Sequence, residues 1–142
     1  MSARSKARKR ALDALYEADI RGIDAVEVLT ELDARRQASG EDSMNEYAHV
    51  LVQGVRDHHV RIDEILATYA TGWTLERMPA VDRNVLRIGT FEVLWNEQVP
   101  DEVAISQAVE LVTELSTDES PAFVNGLLAR ISGVKSRLML EA

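Results

Sequence analysis

Arg4, Lys6, Arg8, Lys9 and Arg10 crowd the first ten residues, and no acid accompanies them. Guanidinium and ammonium groups at this density neutralise phosphates, so the chemistry they suggest is polyanion binding. A solvated, frayed terminus is the competing reading. A second constellation lies in the stretch DESPAFVNGLL, residues 118–128. Ser120 followed by Pro121 suits an N-cap and a first helical residue. The free N–H groups of such a helix start favour anions. Phe123, at the edge of the core, could stack on a nucleobase. Asp118 and Glu119 oppose a polyanion and would accept hydrogen bonds from base edges or from the basic arm.

Asn125 and Gly126 are poor residues for a helix interior, Gly costing about 1 kcal/mol relative to Ala. Two readings follow. Gly126 admits a neighbouring backbone while Asn125 bridges two helices, or the start of the helix is part of a ligand surface.

Other chemistry is absent from the pattern. The chain has no GxxxxGK[ST], GxGxxG, GxSxG or HExxH motif. His58 and His59 are adjacent and therefore diverge by about 100° on a helix. They are not a metal pair, and His49 stands apart. With no cysteine there is no thiolate ligand or nucleophile. The carboxylates are dispersed, so neither catalysis nor a cofactor or metal is expected.

The elements that must position these residues read as helices throughout. The first spans 4–20, with Ala11, Leu12, Leu15 and Ala18 on one face and Gly22 ending it. Arg4 and Arg8 fall in line with that face; Lys6, Lys9 and Arg10 point outward. Asp24 caps a second helix through about Ala38, with Val28, Leu29 and Leu32 inward. A Ser43–Glu46 capping box opens a long third helix to about Tyr69, with a stripe of Tyr47, Val50, Leu51, Val55, Ile62, Ile65 and Leu66. ATGWT around Gly72 interrupts the pattern and marks the expected seam between halves 1–72 and 73–142. The next helix starts at Pro79 and is apolar on two sides, hence central. Another begins at Asp101, and the last runs from Ser120 to about Arg137. The expectation is an all-α protein of six to seven helices, forming two packed bundles of three-helix type.

The chain of 142 residues is one domain's worth. Its net charge of −8 conceals an acidic body behind a basic arm, because five of the sixteen bases lie in the first ten residues. That asymmetry hints at nucleic acid at one end. No run approaches the roughly 20 apolar residues of a membrane span. No apolar h-region follows the basic start, so no signal peptide is expected and a cytoplasmic location is.

Three ordered blocks resemble the NusB family of bacterial transcription antitermination factors. They are the basic run into RALDALYEAD, then MPAVDRNVLRIGTFEVL, then VPDEVAISQAVELVTELSTDESPAFVNGLLARI. Together they cover about half the chain, and GWTLERMPAVDR is similar to the actinobacterial branch. The resemblance implies an all-helical fold of two bundles. It implies binding of boxA-type single-stranded RNA of ribosomal RNA transcripts together with NusE, a small-subunit ribosomal protein, so that RNA polymerase reads through terminators. It places Arg4, Lys6, Arg8, Lys9 and Arg10 on RNA, with Ser5 and Thr113 where the family often has Arg and Lys. Glu119, Ser120 and Phe123 would form a second RNA wall, and the basic arm and this wall are expected to line one channel. Tyr16 and Asp82 map to the NusE-facing surface, with Glu17 and Glu76 as neighbours. Two alternatives stand beside this reading. One is a helical interaction module or homodimer with no direct RNA role. The other is the RNA-targeting domain of a ribosomal RNA methyltransferase, for which the length leaves no catalytic module.

Overall fold

The computed structural model describes residues 2–41 and 46–141. Among them are eight α-helices and one 3-10 turn, and no strand. The Ser43 end of the expected capping box lies outside the described residues.

The chain divides into two compact units, one reaching to Asp57 and one beginning at His58. The boundary therefore falls earlier than the seam expected near residue 72. The apolar stripe from Tyr47 to Leu66 is continuous in sequence and reads as one helix. In the structure His58 leaves helical geometry, at φ −109° and ψ 15°, and its ring stacks on Trp95 at 4.0 Å. The residues after it pack on the second unit instead.

The first unit is a three-helix bundle of α1 (Ala3–Arg21), α2 (Ala25–Ala38) and α3 (Glu46–Asp57), each packed on the other two. Small residues let α1 sit close: Ala7, Ala11, Ala14 and Ala18 are buried with Leu12 and Leu15. They meet Val28 and Leu29 of α2 and Leu51, Val52 and Val55 of α3. Gly22 ends α1 in the left-handed region at φ 69°, where glycine is least strained. Asp24 caps α2 by accepting from the Val26 N–H at 3.1 Å. Val50, expected inward, is 44% exposed.

The second unit comprises α4 (His59–Tyr69), the 3-10 turn Leu75–Arg77, α5 (Ala80–Trp95), α6 (Asp101–Leu115), α7 (Ser120–Gly133) and α8 (Lys135–Leu140). As its two apolar sides require, α5 is central and contacts α4, α6, α7 and α8. Pro79 stands at its N-cap rather than inside its first turn. The last helix breaks at Val134, and α8 returns Leu138 to the core.

The close helix approach occurs at Gly89, not at Gly126. A Cβ on Gly89 would lie 2.7 Å from Leu128 Cδ1, whereas nothing lies within 4 Å of one on Gly126. Asn125 and Gly126 are both exposed, so the helix-bridging reading of this pair is overturned. An ion pair ties α4 to α5: Arg87 donates to Asp63 twice, at 2.9 and 3.0 Å.

Candidate nucleic-acid interface

In the first unit, the Ser2 hydroxyl accepts from the Ser5 N–H at 3.0 Å and starts α1 where the basic run begins. The first turn carries no acid. Cations at a helix N-terminus oppose the helix dipole, typically by about 0.3–1 kcal/mol each, so this arrangement favours an external anion over the fold itself. Lys6 is exposed, and Lys9 and Arg10 are half-buried.

Arg4 and Arg8 do not behave as a solvated, frayed terminus. Their guanidinium carbons lie 4.8 and 5.8 Å from the centre of the Tyr47 ring on α3. Cation–π attraction at this range holds the arm against the bundle. Arg4 remains exposed, but Arg8 is only 3% exposed and packs against the bundle. Tyr47 was legible in the sequence only as a core residue.

Further along α1, Tyr16 is 41% exposed, and Glu17 is half-buried with Arg21 donating to it at 3.0 Å. A neighbouring depression of about 350 Å³ is lined by both signs of charge, including Arg10, Asp13, Arg35 and Arg36. Asp13 has solvent access on one side, yet desolvation raises its carboxyl above the ordinary range, with Lys9 pulling the other way.

In the second unit, the α6–α7 corner closes over the start of α5. Asp82, in the first turn of α5, is 2% exposed. One of its oxygens accepts from Ser116 Oγ at 2.6 Å and the other from Ser120 Oγ at 2.8 Å. Ser120 is therefore not the N-cap: Glu119 holds that position, Ser120 and Pro121 follow inside the helix, and the serine hydroxyl serves the carboxylate. Both residues, expected on ligand surfaces, are buried and hydrogen-bonded to each other.

Above this network lies a pocket of about 510 Å³. It brings together Asp82, Glu119, Ser120 and Phe123 of the expected set and adds Trp73, Arg77, Met78, Pro79 and Thr117. Phe123 is half-buried, and its ring centre lies 6.0 Å from that of Trp73, tilted by 52°. Trp73 is 48% exposed. Glu76 is exposed on the adjoining 3-10 turn but does not line the pocket. Trp73 and Arg77 are not among the residues singled out in the sequence, where ATGWT around Gly72 reads as the seam between the two halves. The available signal was a tryptophan placed in a turn. Among the described residues no group of His, Cys, Asp or Glu could hold a metal ion, and no helix is long and apolar enough to cross a membrane.

An all-helical chain with a basic first helix and a polar-aromatic pocket at a late helix start falls in a defined class: it belongs to the NusB family, whose model matches residues 5–133. The chain is 60% identical over 131 residues to the transcription antitermination protein NusB of Nocardioides sp., covering 92% of this chain and 94% of that one. It is 56% identical over 138 residues to the protein of the same name from Kineococcus radiotolerans, covering 97% and 98%. Among solved structures, T. maritima NusB matches with a TM-score of 0.81 at 33% identity, over 92% of this chain and 90% of that one. A crystal structure of the antitermination factors NusB and NusE in complex with dsRNA matches with a TM-score of 0.81 at 28% identity, over 94% and 98%.

Proposed function

We propose that this chain is a cytoplasmic RNA-binding antitermination factor that holds boxA-type single-stranded RNA of ribosomal RNA transcripts together with NusE, so that RNA polymerase reads through terminators. Family membership across residues 5–133 carries the reading. The acid-free, cationic start of α1 supports it.

In this reading Arg4, Lys6, Lys9 and Arg10 take phosphates, and Arg8 fixes the arm on Tyr47. Phe123 and Glu119 meet a base, and Ser120 and Asp82 hold the helix start that presents them. Tyr16 and Glu17 on the first unit, and separately Glu76 on the second, offer aromatic and acidic groups to a basic ribosomal protein, a pairing that electrostatics favours.

The test is binding of a boxA-type RNA, with and without NusE, at several salt concentrations and against a scrambled RNA. The expected result is preferential binding that weakens steeply with salt. Equal affinity for both RNAs, with NusE present and absent, would sink the reading. Sedimentation with and without RNA addresses the alternative of an interaction module: a dimer indifferent to RNA favours it.

A further inference from the structure

The pocket at the start of α7 holds two residues that no part of the foregoing reading uses. Trp73 contributes an indole that is 48% exposed, and Arg77 is an exposed cation on the same wall. The Trp73 and Phe123 ring centres lie 6.0 Å apart with a 52° tilt, an aromatic pair on the lining of the pocket. The volume of about 510 Å³ lies within the range of sites that enclose small planar ligands. Single-stranded nucleic acids bind where unstacked bases find aromatic faces beside cations for the backbone.

The pocket also offers a hydrogen-bond acceptor. Both oxygens of Asp82 already accept from Ser116 and Ser120. Glu119 is exposed on the same lining, and a carboxylate only accepts. It therefore suits an N–H donor on a base edge, exocyclic amino or ring imino.

We propose that Trp73 and Phe123 are the aromatic walls of a seat for one unpaired nucleobase, with Arg77 on a neighbouring phosphate and Glu119 accepting from an N–H of the base edge. The inference rests on the RNA reading above and extends it to Trp73 and Arg77.

The experiment uses the full chain with Trp95→Phe, which leaves Trp73 as the single indole. A boxA-type oligonucleotide is titrated while indole emission is followed, then a series with one abasic position each. The intact RNA is expected to quench Trp73, and one abasic position to abolish the quenching. In the otherwise native chain, Trp73→Ala should weaken binding of the intact RNA about fivefold or more but not of that abasic RNA, while Trp73→Phe retains most of the affinity. If RNA binds in a manner that needs Lys6 but neither emission nor affinity responds at Trp73, the base seat is wrong and the RNA reading stands. If Trp73→Ala weakens binding of NusE in the absence of RNA and leaves RNA affinity intact, the patch is a protein contact and the seat is likewise overturned. Failure of the native chain to bind RNA under any condition overturns both.

Discussion

The Asp82 carboxylate on α5 accepts from the Ser120 hydroxyl on α7 at 2.8 Å, and both residues are almost wholly buried. The bond joins residues 38 positions apart and pins the start of α7 to the start of α5. Ser116 closes the same arrangement through the second carboxylate oxygen. A buried charge is tolerated only when hydrogen-bonded, so the two serines stabilise the corner that presents Phe123 and Glu119.

Ser120→Ala should therefore lower unfolding free energy by about 1–3 kcal/mol, the range for a charge-assisted hydrogen bond lost from a buried site. Urea denaturation followed by circular dichroism measures it. An unchanged midpoint would show that the Asp82 carboxylate is satisfied without Ser120.

Gly89 and Gly126 should respond oppositely to alanine. At Gly89 the new methyl meets the fully buried Leu128 at 2.7 Å. Overpacking of about 1–3 kcal/mol outweighs the helix propensity gain of about 1 kcal/mol, so Gly89→Ala is expected to destabilise. At Gly126 the methyl enters open space on an exposed face, and Gly126→Ala should stabilise by about 1 kcal/mol. Thermal unfolding of the two variants side by side checks the signs.

Lys6 and Arg8 should separate binding from stability. Lys6 is exposed, so Lys6→Ala should weaken RNA binding, reduce the salt slope by about 0.7 and leave the melting temperature unchanged. Arg8 is buried over Tyr47, and Arg8→Ala should also cost about 1–2 kcal/mol of stability through lost packing and cation–π attraction. Equal melting temperatures for the two variants would assign Arg8 to the ligand rather than the fold.

Thr90 is wholly buried on α5, and its hydroxyl has no hydrogen-bond partner among the described residues. Thr90→Val removes an unsatisfied polar atom at nearly constant shape and is expected to stabilise by about 1 kcal/mol. A destabilised variant in calorimetry would reveal a partner for the hydroxyl.

Local physics made much of this molecule legible in advance. Helical periodicity, the left-handed stop at Gly22 and the cap at Asp24 each depend on a few neighbouring residues, and they appear where the sequence puts them. The two-sided apolarity of α5 likewise announced its central place. The cationic start of α1 follows directly from residue order.

What the sequence by itself determined was therefore the all-helical class, most helix boundaries, the charge asymmetry and, through three ordered blocks, the family. The tertiary structure alone decided which polar residues face inward and which glycine is crowded. Ser120 reads as a cap until Asp82 arrives from a distant helix, and Gly126 reads as the close contact until Leu128 is found against Gly89. Arg8 reads as one more charge of the basic arm until Tyr47 of α3 lies beside it, and Trp73 reads as part of a seam until Phe123 stands beside it. In each case the deciding partner is remote in the chain, and local propensity carries no term for an atom that only folding brings within a few ångströms.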